Sequence, residues 1–389
     1  MKKQIFLSGI VLFLAVCLAQ AARFSIDRDY ILKDGKEFLV KGVSYDYIRP
    51  EDPPWEWEGN PIPSEQIRAR ILKDIKDIRE MNANVLRISD SPAAVYEGAR
   101  KEKLFLLQSI WIEPAKDLFE PEFKERQKTN IRRMIDRIHN LNGADYSDIV
   151  MAWNICCELT EKEIKANDAK YPETNHYDGE YVSAPMGSTA VECFIAQMAD
   201  YAKRYEYDSY FATHLVTYSN TQLTVSFLRT DFLDFMSMNL YSHNVWCWYN
   251  SPLGSRSGTI YQGFIETFRE SYPNKPLLIT EFGLSTAPEC KKDALHPYGY
   301  GGNTEEEQAK GIAEMWNDIK TAKYPVAGGV VYAYADFWGG MGQEGVEIHE
   351  KNNPEQWFGV VSIDGESSKK TKVRKKQAYY KLQELFGLK

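Results

Sequence analysis

Two apolar runs in this chain each end on a glutamate: residues 149–158 (IVMAWNICCE) reach Glu158, and residues 276–281 (PLLITE) reach Glu281. A buried strand ending in a carboxylate is costly unless the acid has a task, because desolvation disfavours its charged form. The two acids stand 123 positions apart, which matches about three strand–helix units of roughly 40 residues each. Strands four and seven of a parallel barrel are separated in this way, and the C-terminal ends of such strands face the active-site mouth. Two carboxylates across one cleft are what retaining glycoside hydrolysis requires, one as acid/base and one as nucleophile.

The elements that must position them follow from the hydrophobic pattern. A small hairpin within Phe24–Val43, with Asp34-Gly35 at its turn, leads into a first strand over Phe38–Val43. Further strands are expected at Asn84–Ile88, Leu104–Ile110, Ile149–Asn154, His214–Tyr218, Phe235–Tyr241, Leu277–Thr280 and Val326–Tyr334. Between them, Ile67, Ile71, Leu72, Ile75 and Ile78 recur at helical spacing, as do Ile131, Met134, Ile135, Ile138 and Leu141. Val191–Tyr205 is a third helix, Thr304 with Glu307 forms a capping box opening another, and a last helix is expected near Gln377–Leu385. Thr160–Ser188 is polar and reads as a long excursion on the same face as the acids. Nothing resembles an interdomain linker or a repeat. One α/β domain over residues 22–389, a single (β/α)8 TIM barrel with a long insertion after strand four, is the expected architecture.

Composition narrows the class of molecule. Lys2 and Lys3, the apolar run Ile5–Leu18 and Ala19-Gln20-Ala21 form the pattern of a cleaved export signal over residues 1–21, so a secreted or periplasmic protein is expected. Its removal takes away two lysines and moves the net charge from −8 to −10. That balance disfavours nucleic acid or an anionic membrane as partner, since both call for a basic face. No later apolar stretch reaches the length of a membrane span, so no membrane insertion is expected. Cys156, Cys157, Cys193, Cys247 and Cys290 lack zinc spacing, and no metal site or cofactor is read here. An odd count leaves at least one thiol unpaired. Aromatics make up 13% of the chain, and Trp55, Trp57, Trp111, Trp246, Trp248 and Trp338 fall in loop-like or strand-end contexts where flat rings stack on sugar faces.

In order along the chain, GVSYDY (42–47), NVLRIS (84–89), WNICCEL (153–159), FMSMNLY (235–241), ITEFG (279–283) and a Tyr-rich strand ending in Trp338 resemble the clan A retaining glycoside hydrolases. The similarity extends to family 2 and family 5 β-glycosidases, and the tail WFGVVSIDG (357–365) also resembles the β-1,3-glucanosyltransferases. The resemblance implies Glu158 as acid/base, Glu281 as nucleophile, Arg87 and Tyr241 as partners of the nucleophile, and Trp338 as a platform under the sugar. Trp111 and Trp55, by their loop-like contexts, and His243, just beyond Tyr241, are further candidate substrate contacts. One position departs from the pattern: where the clan has Asn directly before the acid/base, this chain has Cys157, and a thiol is a weak donor and acceptor. Asp336 and Glu344 lie near strand eight and are not read as catalytic.

The expected activity is retaining hydrolysis of a β-linked carbohydrate, a β-glucan or β-mannan being favoured, without cofactor. A transglycosylase sharing the first half of that mechanism, and a carbohydrate-binding barrel with impaired catalysis through Cys157, remain alternatives. The sugar, the linkage and the oligomeric state stay open.

Overall fold

Strands buried on both faces read as unbroken apolar runs, and only a parallel sheet covered by helices accommodates eight of them. A computed structural model describes residues 24–52, 64–112, 117–243, 258–292, 297–338, 349–365, 367 and 370–388, without the side chains of Cys156 and Cys157. The expected export signal, Trp55, Trp57, Trp246, Cys247, Trp248 and Glu344 lie outside the described residues. A three-stranded antiparallel sheet comes first: β1 (Phe24–Asp27), β2 (Tyr30–Lys33) and β3 (Lys36–Glu37). Asp34 and Gly35 both take positive φ, 51° and 75°, in the hairpin turn between β2 and β3.

The barrel strands follow as β4 (Val40–Ser44), β5 (Val85–Ile88), β6 (Phe105–Ile110), β7 (Val150–Cys157), β8 (Leu215–Thr221), β9 (Met236–Asn239), β10 (Leu277–Phe282) and β11 (Gly328–Val331). They pair in parallel and close as the ring β10-β11-β4-β5-β6-β7-β8-β9. The (β/α)8 reading therefore holds. The hairpin β12 (Val361–Gly365) and β13 (Thr371–Lys375) and a helix over Gln377–Gly387 complete the chain.

Two connections differ from the pattern read in the sequence. The polar stretch after β7 contains a helix, Glu161–Lys170, opened by a capping box between Thr160 and Glu163. Only Ile164 and Asn167 of it are buried, so it carries almost no apolar periodicity. The link from β8 to β9 makes turns and no helix. Asn220 organises it, accepting from the Thr224 hydroxyl at 2.6 Å and donating to the Leu228 carbonyl at 2.9 Å.

The N-terminal sheet seals one end of the barrel. Phe24 meets Phe38 and Phe105 edge to face, at 5.3 and 4.9 Å between centroids, and packs with Ile31, Val40, Val85, Met151 and Leu278. The barrel is thus closed below its strands' N-terminal ends and presents chemistry at the other end. No helix among the described residues is long and apolar enough to cross a membrane.

Between the outer helices and the strands, Glu206 in the helix Ala190–Tyr210 is fully buried and ties four elements together. His139, ending the helix Pro121–His139, lies 3.1 Å from its carboxylate, Trp153 of β7 donates at 3.1 Å, and His214, just before β8, contacts it through Nδ1 at 2.6 Å. Burial alone would raise the Glu206 pKa; the His214 charge and the hydrogen bonds of His139, His214 and Trp153 overcome it and hold it at about 2. Glu206→Ala strands three buried donors and is expected to cost about 3–5 kcal/mol in denaturant unfolding. Because the folded pKa lies below the unfolded value of about 4.3, this stabilisation is present from pH ~4.5 up to the range in which His214 gives up its proton, and drains away as pH falls toward 2. Unfolding midpoints measured between pH 2 and 6 should lose that slope in Glu206→Ala.

Candidate active site

Glu158 follows directly on β7 and Glu281 lies within β10, so both stand at the open end of the barrel. Glu158 has a φ of 51°, a conformation a non-glycine residue adopts only when its surroundings impose it. Its N–H donates to the Ser219 carbonyl at 3.0 Å, and the next N–H, of Leu159, donates to the Tyr218 hydroxyl at 2.9 Å. These bonds turn the backbone so that the carboxyl leaves the strand toward the mouth. The Asn239 amide, at the end of β9, donates to Glu158 Oε1 at 2.9 Å and is itself fixed by Thr280, whose hydroxyl donates to Asn239 Oδ1 at 2.8 Å.

Glu281 is held differently. Arg87 of β5 forms a charged hydrogen bond with Oε1 and also donates to the Thr280 carbonyl at 3.3 Å, while the Tyr241 hydroxyl donates to Oε2 at 2.5 Å. Arg87 and Glu281 retain only 9% and 14% of their side-chain exposure, so this ion pair works largely out of water. Burial, then the Glu281 charge, pushes Tyr241 well above the usual tyrosine range and keeps its proton in place for donation.

The two carboxyls consequently differ in charge behaviour. Burial first, and the Glu281 charge second, push the Glu158 carboxyl up to about 7, against the opposing pull of Asn239 and Arg87. Glu158 is open to water, yet enough protein surrounds its carboxyl to desolvate it. Glu355, on the turn Pro354–Trp357, adds a third carboxyl to the site; burial and Glu281 raise its own pKa.

The remaining residues singled out in the sequence divide. Tyr241 and Arg87 meet at Glu281. His243 packs 5.2 Å from Tyr241. Trp111 stands after β6 with 50% of its surface exposed. Trp338 is only 7% exposed: its ring stacks on His349 at 5.2 Å and its indole N–H donates to the Ile363 carbonyl at 2.9 Å, so little of it is offered to a ligand. Cys157 ends β7 opposite Ser219 of β8. Asn154 is buried and spoken for, donating to Ser109 at 3.3 Å and accepting from the Ser219 N–H at 3.0 Å. Asp336 is buried and paired with Lys376 at 2.8 Å. Asn239 and Glu355 escaped the sequence reading; Asn239, at the end of β9 and two places before Tyr241, was the one with a positional signal. Among the described residues no group of His, Cys, Asp and Glu is arranged to hold a metal. A separate recess of about 590 Å³, lined by Arg132, Arg133, Asp136 and Tyr210, sits on the barrel flank away from both acids.

No family model matches the chain, and no curated protein matches it in sequence. Solved structures do match in fold. Bacteroides uniformis beta-glucuronidase 2, covalently bound to cyclophellitol-6-carboxylate aziridine, is 18% identical with a TM-score of 0.61, over 94% of this chain and 37% of its own. A GH2 beta-galacturonidase from Eisenbergiella tayi bound to galacturonate gives 14% and 0.58, over 94% and 54%. The beta-glucuronidase from Ruminococcus gnavus in complex with D-glucuronic acid gives 16% and 0.60, over 93% and 52%. This chain therefore spans about half the length of these proteins or less, and what it shares with them at such identity is the barrel.

The electrostatic coupling gives a test free of any substrate. Difference infrared spectra of wild type against Glu158→Gln should show a carboxyl titrating near pH 7. In Glu281→Gln the neighbouring charge is gone, and the same carboxyl should titrate at lower pH. An unchanged midpoint would mean that the two acids do not share one field.

Proposed function

We propose that this protein is a retaining β-glycoside hydrolase working by double displacement. The observation that carries the reading is the contrast between the acids: Glu281 clamped as a carboxylate by Arg87 and Tyr241, Glu158 kept protonated near neutrality. Such a divergence of paired carboxyls assigns acid and base roles. Glu281 attacks the anomeric carbon while Glu158 protonates the departing oxygen, giving a glycosyl-enzyme ester. Glu158, now a carboxylate, takes a proton from water, which displaces Glu281 and restores the starting configuration. Asn239 orients Glu158 throughout. The barrel shared with the glucuronidases and galacturonidase supports this class of chemistry.

The substrate we favour is a neutral β-linked glycan, a glucan or mannan. The charges acting on Glu158 are those of Glu281 and Glu355, opposed by Arg87, which is engaged with Glu281. A uronate would bring a further negative charge into that field. The second reading, a uronidase, is favoured by the ligands bound in the structural neighbours. Rates on 4-nitrophenyl β-glucoside, β-mannoside, β-glucuronide and β-galacturonide separate the two; a uronide turned over fastest would establish the second.

The mechanism itself makes sharper demands. Glu281→Ala should abolish turnover of every substrate. Glu158→Ala removes proton transfer, a contribution of roughly 10²–10⁴-fold. Glycosides whose leaving group departs without protonation should still form the intermediate in that variant, and added azide should capture it as a β-glycosyl azide. In the wild type, kcat/KM should fall as pH rises through about 7 and Glu158 loses its proton. Near-normal activity in Glu281→Ala would overturn the proposal.

A further inference from the structure

Tyr300 presents its ring partly to water from a tightly built turn. It is 46% exposed. The turn presenting it is wound tightly: the Asn303 amide, itself buried, accepts from the Gly299 N–H at 3.0 Å and donates to the carbonyls of Gly299 and Ser285, both at 2.8 Å. Gly302 takes a φ of +74° and donates to the Ala287 carbonyl at 2.7 Å. A Cβ on Gly301 would come within 2.6 Å of Cys290 Cβ. Glycines before and after Tyr300 thus allow a close fold that is bolted, through Ser285, to the strand bearing Glu281.

The ring has a defined orientation as well. It stacks on His243, centroids 4.8 Å apart and planes at 23°. His243 leans on Tyr241 at 5.2 Å, and Tyr241 donates to Glu281. Phe358 backs the assembly, 6.0 Å from Tyr300 and 5.7 Å from Tyr241. A continuous aromatic wall therefore runs from the Glu281 carboxylate out to the rim. Across the eight-strand ring from β10 stands β6, and after it Trp111, half exposed.

Resting on the glycosidase reading above, we propose that Tyr300, stacked on His243, is a platform for a sugar unit adjoining the one attacked by Glu281, and so a determinant of preference for oligosaccharides. The axial C–H groups of a pyranose make one face apolar, and that face covers a flat ring with the loss of exposed apolar area on both. Anchored as it is, Tyr300 loses little freedom on binding.

The test compares cellotetraose, laminaritetraose and mannotetraose with the matching 4-nitrophenyl monoglycosides. In Tyr300→Ala the ratio of kcat/KM for the preferred tetrasaccharide to that for the monoglycoside should fall about tenfold, carried by KM. Tyr300→Phe keeps the ring and should restore the ratio to within about twofold. Calorimetric binding of the same tetrasaccharide to Glu281→Gln should weaken on adding Tyr300→Ala by a similar factor. An unchanged ratio in Tyr300→Ala, a phenylalanine variant as damaged as the alanine one, or no binding or cleavage of any tetrasaccharide by the protein would each overturn the platform. Failure of the glycosidase reading shows separately, as 4-nitrophenol release that survives Glu281→Ala.

Discussion

Two carboxyls that share one desolvated field cannot both carry full charge without cost, and the mouth of this barrel is built around deciding which one does. The decision lies with the contacts to Glu281. Arg87 and Tyr241 reach it from β5, three strands away in the ring, and from just beyond the neighbouring β9, so the Arg87 contact exists only when the barrel is closed. Once Glu281 holds the charge, Glu158 is left with burial and repulsion on one side and with the Asn239 amide and the more distant Arg87 charge on the other. Its raised pKa therefore comes first from burial and second from the charge held on Glu281. Asn239 and Arg87 also both touch Thr280, the first through its hydroxyl and the second through its carbonyl, which couples the positions of the two acids through one residue of β10.

The opposite end of the barrel supports this arrangement without taking part in it. Sheet β1–β3 closes the bottom with Phe24, and Glu206 joins Trp153 of β7 and the start of β8 to the helices outside them. β7 and β8 are the strands from which Glu158 and its backbone partner Ser219 come. Stability and chemistry are thus placed at different ends of the same strands, as the fold class leads one to expect.

Much of this was legible in the sequence, for identifiable reasons. Buried parallel strands are continuous apolar runs, so all eight were visible, within a residue or two at most ends. Glu158 and Glu281 stood out because a charge terminates each run. Asn239 did not, since one amide in FMSMNLY resembles any other polar residue in a strand, and its partner lies 81 positions away across a neighbouring strand. Tyr300 sits in a Gly- and Tyr-rich stretch with no periodicity, and only the folded turn shows that its ring is offered outward. The helix Glu161–Lys170 is polar nearly all round, which hides its period. Trp338 shows the complementary limit: an aromatic at a strand end reads as a sugar platform until non-local packing covers it.

That packing explains why the chain after the barrel matters to the mouth. His349 lies between Trp338 and Trp357, stacked on the latter at 3.5 Å, and burial lowers its pKa to about 4, so the imidazole is neutral and suited to a stack. Beneath them the buried Lys376, which precedes the last helix, bonds Asp336 at 2.8 Å and Thr286 at 2.9 Å, joining the segments that follow β11 and β10. The turn carrying Glu355 and Phe358 is suspended from the same framework: the Ser285 hydroxyl donates to the Pro354 carbonyl at 2.6 Å, and the Phe337 N–H to that of Gln356 at 3.0 Å. Phe358 in turn packs on Tyr241 and Tyr332. The C-terminal hairpin and helix therefore act on the nucleophile's surroundings at one remove, by fixing the turn against which Tyr241 rests, and the barrel strands alone would leave that tyrosine without its backing.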